Sequence, residues 1–254
     1  MKILFLGDIV GKPGISSVEM FLEKNKDKYD FIIANGENVT GGKGINKKDS
    51  DYLFALGIKA ITMGNHTWDN KEFEKIADDS RFVRPLNYPP GTPGKGIRSF
   101  SFNNKKIWVI NVLGTVFLDS LYPPFQTVEK IINEIEKDSI IIVDMHGEAT
   151  SEKKALGHFL AGKVSAVIGT HTHVQTADEE ILIKKTAYIT DVGMCGSNNS
   201  VLGIKKEIAI KRFLTKMPVR FEVSDEDLMV NGLEMEFDAL GSCIYINRIN
   251  HKYY

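Results

Sequence analysis

The stretch "VSAVIGTHTHVQTADEE" (164–180) runs from a strongly apolar segment straight into two histidines separated by one threonine. The apolar part is continuous rather than alternating, the pattern of a strand covered on both faces. Four other short runs have the same character: "KILFLG" (2–7), "FIIANG" (31–36), "KAITMG" (59–64) and "SIIIVD" (139–144). Between the runs lie "ISSVEMFLEKNKDK", "NKKDSDYLFAL", "NKEFEKIA", "FQTVEKIINEIEK" and "SEKKALGHFLAG", each with apolar residues at three- and four-residue spacing. That is the helical period. Strand–helix alternation of this kind predicts an α/β fold, a layered sheet with right-handed crossovers and helices outside.

Two regions depart from the rhythm. "GIRSFSFNNKKIWVINVLG" (96–114) reads as strand, Asn-Asn turn, strand, which is a hairpin. The last part, from Met217 to Asn250, is again strand-rich, with turn signals near Asp225 and at Asn231-Gly232. A second sheet, antiparallel or mixed, is therefore expected to pack against the first. "RPLNYPPGTPGKG" (84–96) is rich in Pro and Gly and marks a small excursion. With no repeat, low-complexity stretch or linker in view, residues 1–254 read as a single domain.

The composition is that of an ordinary globular protein, 43% hydrophobic and 26% charged. A formal net charge of −1 gives no bulk electrostatic case for nucleic acid or acidic membranes. Cys195 and Cys243 form no CxxC pair and no disulfide framework, which points to a reducing compartment. The opening "MKILFLGD" stops being apolar at Asp8, too early for a signal peptide. No segment approaches the roughly 18 apolar residues of a membrane span. The expectation is a soluble, cytoplasmic protein with no membrane partner.

Each apolar run gives way to polar residues of a restricted kind. The runs end in Asp8, in Glu37 and Asn38, in Asn65 and His66, in His146, and in His171 and His173. In open α/β sheets the C-terminal strand edge is where ligands bind. Carboxylate, amide oxygen and imidazole without thiolate suit iron, manganese or zinc in a catalytic rather than a structural setting. About seven such groups exceed one coordination sphere and argue for two ions. Alone, Asp8 or Asn65 would read as a turn or helix-cap residue, and His146 as a core histidine. Their joint occurrence at five strand ends is what speaks for chemistry. Period-two alternation would put His171 and His173 on one face. His158, inside a helix, and His251, near the end, read as structural.

These residues resemble the calcineurin-like metallophosphoesterases, whose usual motifs are D-x-H, G-D-x-x-D, G-N-H-[DE], a lone H and G-H-x-H. The chain departs from that pattern at Asp8-Ile9-Val10, which lacks the histidine, at Glu37-Asn38 in place of the bridging aspartate, and at Thr67 after His66. Those departures, with "GDIVGKPG", "NGENVTGGKGI", "GNHTWDN", "DMHGEATSEK", "GTHTHVQTADE" and "TDVGMCG", are similar to the YmdB-like branch, 2′,3′-cyclic-nucleotide 2′-phosphodiesterases. The resemblance covers nearly the whole chain. It implies a four-layer α/β/β/α sandwich with two mixed β-sheets. It assigns Asp8, Glu37, Asn38 and His173 to one metal, and Glu37 as bridge with Asn65, His146 and His171 to the other. It makes His66 the proton donor and implies a homo-oligomer.

The implied reaction is hydrolysis of 2′,3′-cyclic nucleotides, and of 3′,5′-cyclic ones as a further candidate, by a hydroxide generated on the metal pair, with His66 as general acid. An amide oxygen from Asn38 where other members have an imidazole makes one shell more oxygen-rich, favouring iron or manganese over zinc. Lys43, in a glycine-rich loop, and the aromatics Trp68 and Tyr88 are candidate substrate contacts. "IKKEIAIKRF" (204–213) carries a basic face, and Cys195 reads as a packed residue. Two other readings stand beside this one: a phosphomonoesterase or nucleotidase on the same metal core, and a regulatory protein associated with RNA or RNA ends.

Overall fold

The computed structural model describes residues 1–253. In chain order it contains β1 (Lys2–Ile9), α1 (Gly11–Asn25), β2 (Phe31–Asn35), α2 (Lys47–Ala55), β3 (Ala60–Thr62), α3 (Phe73–Ile76), β4 (Phe82–Val83), β5 (Ile97–Phe102) and β6 (Lys105–Leu113). Then follow α4 (Pro124–Ile132), β7 (Ile140–His146), α5 (Thr150–Leu160), β8 (Ala166–Thr170), β9 (Glu180–Leu182), β10 (Thr186–Ile189), β11 (Met194–Ser197), α6 (Lys206–Thr215), β12 (Leu228–Phe237) and β13 (Cys243–Lys252).

The strands form two mixed sheets, in the orders β13-β12-β11-β1-β2-β3-β4 and β5-β6-β7-β8-β10-β9. The five apolar runs do not share a sheet, as a simple layered reading would have them. β1, β2 and β3 run parallel in the first sheet, and β7 and β8 run parallel in the second. Period and apolar content cannot tell two parallel stacks from one. The Asn103-Asn104 hairpin joins β5 to β6 in the second sheet, both asparagines at positive φ. The C-terminal hairpin does not join it there. β12 pairs antiparallel with β1, β11 and β13, in the first sheet.

Asn231-Gly232 lies in the middle of β12 and is no turn. Both residues are paired across to β13, and Gly232 also lies opposite Leu6 of β1.

The sheets pack face to face around Ile3, Phe5, Ile33, Val109, Ile142, Ile168, Ile189 and Leu233, all fully buried. On the outside of the first sheet, Leu4, Leu6 and Ile32 pack with Val18, Phe21 and Leu22 of α1 and Leu53 of α2. On the outside of the second, Ile110, Ile141 and Val143 pack with Val128 of α4 and Leu156 and Leu160 of α5. Four layers, α/β/β/α, follow from these faces. Among the described residues no helix is long and apolar enough to cross a membrane.

The proline-rich excursion after Arg84 is held from within. The Arg84 guanidinium is buried and donates to the carbonyls of Pro85, Thr92, Pro93 and Gly94. Phe5 sits at the centre of the inter-sheet core, so Phe5→Ala is expected to cost about 3–5 kcal/mol in urea unfolding; a loss below about 1 kcal/mol would contradict this packing.

Candidate active site

Both sheets end their parallel strands at the same rim. A bulge delivers the first acid: Leu6 pairs with Ala34 but Asp8 pairs with Asn35, so Gly7 is an extra residue that re-aims Asp8. A Cβ at Gly7 would meet the Gly193 carbonyl oxygen at 2.1 Å, so only glycine allows this approach. Glu37 and Asn38 follow β2, Asn65 and His66 follow β3, His146 ends β7, and His171 and His173 follow β8.

The seven residues expected as ligands come together. The His146 Nε2 atom lies 3.0 Å from Glu37 Oε1, 3.1 Å from Asn65 Oδ1 and 3.1 Å from His171 Nδ1. Suitable atoms of Glu37, His146 and His171 all fall within 4.8 Å of one another. On the other side, His173 Nε2 is 3.1 Å from Asn38 Nδ2 and 3.7 Å from Asp8 Oδ1. Asn38 reaches Glu37 Oε1 at 3.2 Å and joins the two halves. Gly64 sits beneath them, where a Cβ would come within 2.3 Å of His146 Nε2 and 2.4 Å of Glu37 Oε2.

Asp8, Glu37 and His146 are fully or almost fully buried. Burial lifts the Asp8 carboxyl to about 6 against the opposing pull of His173 and His146. Burial also pushes Glu37 upward, yet the charge and hydrogen bond of His146 bring it down to about 2. For His146 desolvation works downward and is outweighed by Glu37 and Asp8, which raise the ring to about 9. Burial and the neighbouring His146 push His171 down to about 3. Two buried carboxylates thus draw positive charge to the centre of the cluster.

The imidazoles are oriented from behind. The Thr170 hydroxyl donates to Asp144 at 2.7 Å, so at 2.8 Å it accepts from Nδ1 of His146 and leaves Nε2 facing the cluster. His173 Nδ1 donates to the Leu202 carbonyl at 3.1 Å, which likewise turns Nε2 toward Asp8 and Asn38.

His171 and His173 do not follow the strand period expected of them. β8 stops at Thr170, and the two histidines have φ of 103° and 63°, a left-handed bend. Asp191 imposes that bend: its carboxylate accepts from the Thr172 amide at 3.0 Å and the Thr172 hydroxyl at 2.8 Å. Lys153 of α5, fully buried, pairs with the same carboxylate at 2.7 Å.

His66 stands at the rim. Its amide donates to Glu37 Oε2 at 2.8 Å, and its Nδ1 contacts Asp69 Oδ2 at 2.9 Å. Lys43 lies 3.6 Å from the same Asp69 oxygen. A cavity of about 290 Å³ opens here, walled by His66, Lys43, Glu148, His171, Leu202 and Phe221 among others. Trp68 and Tyr88 are not part of that wall; they pack edge-on against each other, and Trp68 also packs on Phe73. His251 stacks with Phe21 and Tyr253, and Cys195 is buried, both as the sequence suggests.

Lys153, Asp191, Asp144 and Asp69 escape a reading of the sequence. Lys153 sits in a charged run of a helix and Asp191 in a turn-like string, with no local signal that the two meet.

Over residues 4–249 the chain matches the family model described as YmdB-like protein. It is 50% identical over 242 residues to the 2′,3′-cyclic-nucleotide 2′-phosphodiesterase of Bacillus subtilis (strain 168), covering 94% of this chain and 92% of that relative. The fold matches the crystal structure of a hypothetical protein from Thermus thermophilus with a TM-score of 0.96, at 40% identity over 99% of each chain. It matches that of a novel phosphatase from Mycoplasma pneumoniae with a TM-score of 0.94, at 38% identity over 99% of this chain and 93% of that one.

Lys153→Met would leave the Asp191 carboxylate buried without its cation, so a loss of about 3–5 kcal/mol is expected in chemical denaturation. Lys153→Met/Asp191→Asn should recover part of that loss. A single variant as stable as the parent would show that the pair does not hold the bend.

Proposed function

The chain belongs to the YmdB-like family, and on that premise we propose that it is a metal-dependent phosphodiesterase of cyclic nucleotides, with residues 1–254 as its one catalytic domain. The preferred substrates are 2′,3′-cyclic nucleotides, followed by 3′,5′-cyclic ones. One observation carries the reading: seven oxygen and nitrogen donors from two sheets converge on one rim, with His66 beside them.

The donor set fits metal ions. Asp8 Oδ1 is buried without a hydrogen-bond partner, and three ligand atoms crowd the His146 Nε2 atom. In this reading Asp8, Asn38 and His173 would hold one ion and Asn65, His146 and His171 the other, with Glu37 as the ligand that both would share. Such a pair, when bound, lowers the pKa of a water and neutralises charge on phosphoryl oxygens. The oxygen-rich set around Asp8 and Asn38 favours iron or manganese over zinc.

The remaining steps belong to side chains of the protein. Asp69 accepts a hydrogen bond from the Nδ1–H of His66, which leaves the Nε2–H to give its proton to the departing ribose oxygen. Attack of water's oxygen on phosphorus breaks the P–O2′ bond, and the 2′ oxygen, taking up the His66 proton, stays on the ribose as a hydroxyl beside a 3′-phosphomonoester. Lys43, held near Asp69, supplies positive charge at the cavity edge. The buried Asp191–Lys153 pair keeps both histidines of the bend in position.

A phosphomonoesterase on the same residues is the second reading, favoured by the structural match to a protein described as a phosphatase. Turnover of 2′,3′-cyclic AMP, 3′,5′-cyclic AMP and a phosphomonoester, measured side by side, separates the two. Phosphomonoester turnover without cyclic-nucleotide turnover would overturn the first reading. His66→Ala is expected to keep its metal and lose about 10²–10⁴-fold in turnover of the cyclic substrate, with a smaller loss on an activated aryl phosphodiester. Full activity of the variant on both would refute the acid role. Protein purified without added metal or chelator should carry iron or manganese on elemental analysis; stoichiometric zinc alone would count against that preference.

A further inference from the structure

Apart from the histidines, two charged residues on the wall of the reaction cavity reach solvent: Lys43 and Glu148, with side chains 61% and 51% exposed. Lys43 is already answered by Asp69 at 3.6 Å. Glu148 lies two positions beyond His146 at the end of β7, and its Oε2 atom is 3.1 Å from Nε2 of His171. Among the described residues no lysine or arginine pairs with it. A carboxylate with no cation, on the wall of a cavity that admits a phosphate ester, works against the charge of the ligand it faces.

Orienting His171 does not require that charge. The Glu148 carboxylate accepts from Nε2 of His171 and leaves Nδ1 facing Nε2 of His146 at 3.1 Å. The other two imidazoles of the cluster are turned inward by neutral acceptors, the Thr170 hydroxyl for His146 and the Leu202 carbonyl for His173. A glutamine at position 148 would serve His171 in the same way. What the glutamate adds is a negative charge on the cavity wall, one imidazole ring away from the cluster. Its repulsion grows with the charge of whatever enters. A cyclic phosphodiester carries a single negative charge, whereas a phosphomonoester carries about 1.5 to 2 near neutral pH.

We propose that Glu148 is a specificity-determining residue, whose carboxylate lets the site take singly charged phosphodiesters and disfavours doubly charged phosphomonoesters, the product included. The proposal rests on the phosphodiesterase reading above and adds to it a physical reason why one donor set serves the two ester classes unequally. Hydrolysis turns a monoanion into a dianion inside the cavity, so the charge that weakly opposes the substrate opposes the product more strongly and speeds its release. Coulomb energy is linear in the ligand's charge, so removing the Glu148 charge tightens a dianion by the square of the factor for a monoanion. An effect of about tenfold on the product therefore goes with about threefold on the substrate. The rival role is electronic: a carboxylate behind His171 makes that ring a stronger metal ligand, and neutralising it would then cost metal and leave discrimination alone.

Two variants separate charge from contact. Glu148→Gln keeps an acceptor for His171 without the charge, and Glu148→Asp keeps the charge while drawing it back from the ring. Both are compared with wild type, metal-loaded and at about pH 8, where the monoester is a dianion. The readouts are KM for 2′,3′-cyclic AMP, the calorimetric affinity for 3′-AMP, and metal content by elemental analysis. Glu148→Gln is expected to keep its metal, to bind 3′-AMP about tenfold more tightly and to lower KM about threefold. Glu148→Asp is expected to discriminate as wild type does. An unchanged 3′-AMP affinity in Glu148→Gln, equal shifts for both ligands, or a Glu148→Asp variant that behaves like Glu148→Gln overturns the inference. Loss of metal from Glu148→Gln overturns it too, because the carboxylate would then act through His171. Wild type that turns over phosphomonoesters and no cyclic nucleotide sinks the phosphodiesterase reading, and this inference with it.

Discussion

Asp8 and Glu37 place two carboxylates, fully or almost fully buried, on the shared rim of two packed sheets, where water cannot compensate them. Burial of uncompensated charge is among the costliest arrangements a fold can contain. Much of the surrounding structure answers it. His146 lies against Glu37 at 3.0 Å and His173 faces Asp8. The Asn38 side-chain amide donates to Glu37 and also meets His173. Positive charge is demanded at the centre, and the histidines and asparagines aimed inward are neutral or basic groups of metal-binding type.

Holding those groups in place requires strain and close approach. His171 and His173 occupy left-handed backbone that β-strand continuation would never visit. The buried Lys153–Asp191 pair fixes that bend through Thr172, and Gly7 and Gly64 clear space for neighbouring atoms that any side chain would strike. Strain of this kind persists only where the surroundings over-determine it. The apolar sandwich supplies that rigidity from both sides of the rim, so the core and the cluster form one mechanical unit.

Much of this was legible beforehand, for a physical reason. Parallel strands buried on both faces read as unbroken apolar runs, so their ends, and the polar residues at those ends, can be located without coordinates. Sheet membership could not be read, because "FIIANG" and "SIIIVD" look alike although they lie in different sheets. Asn231-Gly232 carries a turn signature, yet pairing with strands on both sides holds it extended. The short β10 and β11 carry too few residues to show a period. Groups that orient the site stayed hidden for a different reason. Lys153 and Asp191 are 38 positions apart, and Thr170 and Asp144 are 26 apart, contacts that no local pattern announces.

The proposed function requires this buried cluster to hold a pair of cations. Anomalous diffraction from crystals of protein loaded with manganese tests it most directly. We expect two peaks per chain, one beside Asp8, Asn38 and His173, the other beside Asn65, His146 and His171, with Glu37 between them. A single peak, or none at the rim while the ions bind elsewhere, would contradict the account.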